Sequence, residues 1–150
     1  ARFRRLRRAT VGWIEGEGPR MYLVQSTGCA PMVQAFARGS ESAEAWPDPR
    51  TVASGLRVPS PLGDRLMLRT LRESNGGALA IPDDTLAADA ELATRLEGVD
   101  FCPEGGAALA AARALAEEGM LRAEDEVVVF NTGAGWLYRG ESAPQPRPAD

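Results

Sequence analysis

The chain has 150 residues, 44% hydrophobic and 25% charged, with a net charge of −4; this is one domain's worth of ordinary globular composition, large enough to bury a core. No apolar run approaches the roughly 18 residues of a membrane span, and the negative charge argues against general nucleic-acid binding. There is no histidine and all 17 basic residues are arginine, so Ser-His and Cys-His nucleophile pairs and any lysine Schiff base are excluded, and no carboxylate pair stands out by spacing to replace them.

Ala1 to Ala9 reads as the last turns of a helix, with Phe3 and Leu6 on one face. Its five arginines are read as a solvated helix face, since no further basic cluster supports a nucleic-acid patch. With neither an initiating Met nor an N-cap residue, the chain reads as starting inside an element, as a fragment would. There is no charged-then-apolar leader. Cys29 and Cys102 have no metal-ligand spacing, which predicts reduced thiols in a cytoplasmic protein.

Gly16 to Pro19 is a turn, and Met21 to Gln25 a strand. Ser26-Thr27-Gly28-Cys29-Ala30-Pro31 leads into a helix with Pro31 near its first position, where a missing N–H costs little. That helix runs through Val33 and Phe36 to Gly39. The turn sits at a strand's carboxyl end, so it is one candidate wall of a site. Ser40 to Arg50, with Pro47 and Pro49, is a surface loop. The small residues of Thr51 to Pro59 permit close backbone approach to a flat ligand; a short helical turn packed under the loop is the other reading. A helix over Leu62 to Ser74 is expected to turn Leu62, Leu66 and Leu71 or Thr70 to the core, and Asn75-Gly76-Gly77 ends it. Ala78 to Ile81 is a short buried strand. Pro82-Asp83-Asp84 starts a helix with acidic groups favourably placed, with a stripe of Leu86, Ala90, Ala93 and Leu96 closed by Gly98. Pro103-Glu104-Gly105-Gly106 opens an Ala-rich helix to Glu118, capped by Gly119, thin enough to lie close on a sheet. Glu104, in its first turn, is either a carboxylate suited to the helix dipole or a site residue.

Val127 to Phe130 reads as a strand buried on both faces, the pattern of a central strand in a parallel sheet. Asn131-Thr132-Gly133-Ala134-Gly135 follows, where ligands sit beyond the carboxyl ends of strands in open α/β sheets; a plain turn is the other reading. Alternation of helix and strand predicts a three-layer α/β sandwich with a mainly parallel sheet over residues 1–140. The Pro-rich tail, residues 141–150, is expected to be disordered or draped on a partner.

Four stretches taken together resemble threonine synthase, a pyridoxal-phosphate (PLP) enzyme family of the tryptophan-synthase-β-like fold (fold type II). They are Met21 to Pro31; Ala53 to Pro59 with Pro61 to Asp64; Cys102 to Ala108; and Phe130 to Gly135. Each alone is weakly specific, but their order and spacing are family-like. The resemblance is to the carboxyl-terminal portion only. The family's Schiff-base lysine and its Gly-rich phosphate loop would lie upstream, in a missing N-terminal part that the resemblance makes a partner. It implies PLP as cofactor and, for the complete enzyme, a homodimer that turns O-phospho-L-homoserine and water into L-threonine and phosphate, with this chain inactive alone. By the same resemblance Thr132 meets the pyridine nitrogen, Asn131 and Gly133 shape the backbone around it, Ala53, Ser54 and Gly55 line a ring face, and Glu104 is a further candidate. Gly106 departs from the family, which commonly has Ala there, and Ser54 stands where relatives often carry Asp or Thr. A threonine or serine dehydratase of the same fold, or a non-catalytic α/β binding module, are the competing readings; dehydratases usually show Ser-Gly-Gly where this chain has Asn131-Thr132-Gly133.

Overall fold

Two strands, β1 (Tyr22–Ser26) and β2 (Gly77–Ile81), run parallel, with Tyr22 opposite Gly77 and Ser26 opposite Ile81. The computed structural model describes residues 18–139; the helix expected over residues 1–9 and the tail over 141–150 lie outside them. The crossover between the strands carries α1 (Pro31–Ala37), a single 3₁₀ turn at Ser54–Leu56 and α2 (Asp64–Glu73). After β2 come α3 (Asp83–Glu97), α4 (Pro103–Glu117) and a 3₁₀ turn at Gly135–Tyr138.

Side chains alternate across a strand, and this sorts the core into two clusters. Leu23 joins Met32, Ala35 and Leu68 of α1 and α2 on one face. Val24, Leu79 and Ile81 join Leu86, Ala107, Ala110 and Ala111 of α3 and α4 on the other. Helices therefore cover both faces of a parallel sheet, which is the expected three-layer α/β sandwich. No helix among the described residues is long and apolar enough to cross a membrane.

Local chemistry fixes the element ends. Gln25 at the end of β1 turns its Oε1 back to accept from the amides of Met32 (2.9 Å) and Val33 (3.2 Å), so a strand side chain caps α1. Gly98 takes φ = 67° after α3, a left-handed position that suits glycine. Between α3 and α4, buried Asp89 accepts from Arg113 at 2.8 Å.

Asp83 ties three segments together at the carboxyl end of β1. Its Oδ1 accepts from Ser26 Oγ (2.8 Å) and Thr51 Oγ1 (2.7 Å), and its Oδ2 from the amide of Val52 (2.8 Å). Burial pushes its pKa up, but the Thr51, Ser26 and Val52 donors outweigh burial and hold it below the ordinary value of 3.8. A folded pKa below the unfolded one contributes stability above the unfolded pKa and loses it as pH falls through the folded value. Asp83→Ala leaves those donors unmatched and should cost about 1.5 kcal/mol in urea unfolding at pH 7. It should also flatten the loss of stability below pH 3.8. An unfolding midpoint equal to the parent's at pH 7 would rule out this tie.

Several expectations are corrected. Val127 to Phe130 forms no strand; Val129 is half-buried and the other three face solvent, Val128 at 79% and Phe130 at 71% exposure. A strand buried on both faces needs neighbours to pair with and layers to cover it, and neither β1 nor β2 pairs with this segment. Strict alternation also fails, because α3 passes directly into α4 with no strand between. Leu62 and Leu66 do not reach the core. The helix starts only at Asp64, whose carboxylate accepts from the amides of Ala43 and Arg65, and the face that meets α1 is set by Met67 and Leu68, with Leu71 buried as well. Leu96 is exposed, since the buried stripe of α3 (Leu86, Asp89, Ala90, Ala93) has already turned away by its last turn. β2 is half-buried along most of its length, fully so only at Ile81.

Candidate functional site

The first turn of α4 gathers the site. Cys102 is its N-cap, and its Sγ accepts from the Gly105 amide at 3.3 Å. Asn131 reaches across so that its Oδ1 accepts from both the Cys102 amide and the Cys102 thiol, each at 3.2 Å. A Cβ on Gly105 would overlap Asn131 Oδ1, so a glycine at this point is what admits the carboxamide. Phe101 and Ala134 pair in an isolated antiparallel bridge. The Asn131 to Ala134 turn is thus clamped to the start of α4 at both of its ends. Between the clamps, Thr132 is exposed, and its hydroxyl makes no hydrogen bond among the described residues. Gly133 lies over Cys102, where a Cβ would make only ordinary contacts of 3.5 and 3.6 Å.

Glu104, next along the same helix, holds the second wall. Its Oε1 accepts from the Gly55 amide and from the Tyr138 hydroxyl, each at 2.8 Å. Ala53 is fully buried with Ile81, Leu86 and Ala107, so it supports this turn from beneath and does not present its side chain. Ser54 is half-buried and Gly55 exposed. A Cβ on Gly55 would come within 2.7 Å of Glu104 Oε1, so glycine permits the close approach. Burial pushes the Tyr138 phenol up in pKa; the Ser54 hydroxyl opposes this and the Glu104 carboxylate adds to it. At neutral pH the phenol is therefore a donor.

The structure brings Ala53, Ser54, Gly55, Glu104, Asn131, Thr132 and Gly133 to one end of α4. It adds Tyr138, which lies in no periodic segment, and Cys102, which the sequence reads as a reduced thiol and as the first residue of a family-like stretch but gives no place in the site. The turn after β1 is a different case. Ser26 is used by Asp83, and Cys29 and Ala30 are buried. Burial raises the Cys29 thiol pKa against the pull of the Val58 backbone and the Arg57 charge, so this thiol is a packed group. Chemically, the α4 end offers one solvent-facing hydroxyl and close backbone approach at glycines. That suits hydrogen bonding to a flat heteroaromatic ring. It offers no amine to bond such a group covalently.

Comparison with known proteins gives this arrangement a family. Residues 3–133 match the family described as "Pyridoxal-phosphate dependent enzyme". The chain is 31% identical over 115 residues to threonine synthase from Methanosarcina acetivorans, covering 77% of this chain and 28% of that protein. It is 29% identical over 119 residues to threonine synthase from Methanocaldococcus jannaschii, covering 79% of this chain and 29% of that protein. Among solved structures, a threonine deaminase from T.th. superposes with a TM-score of 0.52 at 26% identity, covering 66% of this chain and 34% of that one. Maize serine racemase superposes with a TM-score of 0.56 at 22% identity over 81% of this chain and 37% of its own, a likeness of fold alone. The chain spans less than a third of the length of the curated relatives it matches. The family's cofactor is PLP, and the exposed Thr132 hydroxyl between two anchored points fits one side of its ring, while the absence of lysine leaves its attachment to other residues. Because the match extends from residue 3 through the turn that presents Thr132, this chain belongs to the pyridoxal-phosphate-dependent enzymes.

Proposed function

We propose that this chain is the carboxyl-terminal part of a threonine synthase, an enzyme that converts O-phospho-L-homoserine and water into L-threonine and phosphate. The carrying observation is the Asn131 to Gly133 turn, fixed on Cys102 so that Thr132 alone points outward. The similarity to archaeal threonine synthases supports the choice of reaction. When bound, PLP supplies the electron sink for elimination and hydration. Thr132 contributes a neutral hydrogen bond to the ring nitrogen and no counter-charge, which leaves that nitrogen unprotonated and moderates the sink. Asn131 and Gly133 shape the turn that carries it, the Ser54-Gly55 turn flanks the ring, and Glu104 holds that turn in place.

The rest of the enzyme supplies the lysine and the phosphate loop, and the exposed Val127 to Phe130 run is the surface that its sheet covers. The assembled enzyme is a cytoplasmic homodimer. A dehydratase reading is favoured by the superposition on threonine deaminase and opposed by Thr132 and Asn131, where dehydratases commonly have Ser-Gly-Gly. The deciding experiment supplies the upstream part and O-phospho-L-homoserine or L-threonine. Phosphate release is expected from the first, and oxo-acid formation from the second would replace synthase by dehydratase. Alone, the chain mixed with PLP should develop no visible band of lysine-bound cofactor; such a band would overturn the division of labour.

A further inference from the structure

We propose that Tyr138 is a positioning residue that, through Glu104, sets the spacing between the two walls of the site; this rests on the reading of the site given above. The two walls are far apart in sequence and share one acceptor oxygen, and the Ser54 hydroxyl also lies against the Tyr138 phenol. Glu104 Oε1 receives the Gly55 amide and the Tyr138 hydroxyl, each at 2.8 Å. One donor leaves a carboxylate on a flexible side chain free to swing, whereas two donors converging on the same oxygen from different segments restrict it to one rotamer.

Tyr138 can serve as the fixed end because its own turn is anchored. Asp100 O accepts from the Gly135 amide at 3.1 Å, and its carboxylate accepts from the Trp136 amide and from Arg139, each at 2.8 Å. These anchors sit beside the Phe101–Ala134 bridge that holds the Thr132 turn. Backbone from Thr132 to Tyr138, then Tyr138 Oη, Glu104 and the Gly55 amide, thus form one continuous link between the hydroxyl that faces the ring and the turn that flanks it. The half-buried, protonated phenol keeps its donor role across the neutral range. Nothing in the link depends on Tyr138 touching the cofactor.

Three variants separate the parts. Glu104→Ala removes the shared acceptor, Glu104→Gln keeps an oxygen there, and Tyr138→Phe keeps the ring but loses the donor. Two measurements are made on each: hydrogen exchange at the Gly55 amide in the chain without cofactor, and affinity of the assembled apoenzyme for added PLP. Loss of one hydrogen bond corresponds to a change of up to about tenfold. Glu104→Ala should speed Gly55 exchange and weaken PLP binding by about that factor. Tyr138→Phe should change both in the same direction by about threefold, and Glu104→Gln should restore both to within about twofold of the parent. A merely structural role would lower the melting temperature without moving PLP affinity in step with Gly55 exchange. Unchanged Gly55 exchange in Tyr138→Phe overturns the proposal, and so does faster exchange with unchanged PLP affinity. If the parent enzyme itself fails to bind PLP, the reading of the site falls and the positioning role with it, while the exchange data still report whether the link exists.

Discussion

Gly106→Val is expected to destabilise the chain by about 3 kcal/mol, with Gly106→Ala milder at about 2 kcal/mol. Gly106 sits in the first turn of α4 where that helix crosses α3. A Cβ built there meets the backbone oxygen of Leu86 and comes within 2.7 Å of Ala90 Cβ and 2.9 Å of the Ala90 amide nitrogen. These are backbone and near-backbone atoms of a helix, which no rotamer change can move aside, so relief requires the helices to separate. Separation would loosen Leu86 against Ala107, Ala110 and Ala111 and pull Arg113 from buried Asp89. Alanine recovers about 1 kcal/mol through its better helix propensity, which is why the smaller substitution costs less. The glycine thus lets the two helices approach more closely than a methyl group allows. Urea titration followed by circular dichroism at 222 nm gives the test, with the slope expected to stay constant. A Gly106→Val midpoint equal to the parent's would mean that the helices shift apart at no cost, and the close crossing would then contribute nothing to stability.

What could be read from the sequence follows how local the governing physics is. Pro31 and Pro103 mark helix starts, and Gly98 and Gly119 helix ends, because cap chemistry involves only a few adjacent residues. The facing of α2 is misread at Leu62 and Leu66 because its start is set by Asp64 reaching the Ala43 amide, a contact from another loop. Val127 to Phe130 has the composition of a covered strand, but covering depends on partners that periodicity does not reveal. Within the site, Thr132 was legible as a hydroxyl just beyond an apolar run. The use of Asn131 was not: its carboxamide is spent on Cys102, and this pairing appears only when residues 29 apart are brought together. Glu104 could be read as a dipole partner or a site residue, and the structure assigns its oxygen to Gly55 and Tyr138. Tyr138 carries no local signal at all, since its role depends on a turn folding back over α4.

In the assembled enzyme, Thr132→Val should weaken PLP binding by about tenfold and slow turnover by a similar factor, the effect of losing one hydrogen bond to the ring. The substitution is informative because it leaves the fold alone. Thr132 is exposed and its hydroxyl bonds to no described residue, so valine of nearly the same shape removes nothing from the folded chain. Its urea midpoint should stay within about 0.5 kcal/mol of the parent. Asn131→Ala is the contrast, because its Oδ1 satisfies the Cys102 amide at the start of α4. That variant should lose stability as well as cofactor affinity, since the turn keeps only its Phe101–Ala134 clamp. Thr132→Ser keeps the hydroxyl and should restore most of the binding. A Thr132→Val enzyme with unchanged PLP affinity and turnover removes Thr132 from the site. A Thr132→Val enzyme that is less stable would instead mean that the hydroxyl serves the fold, and the outward turn fixed by Asn131 would then need another purpose.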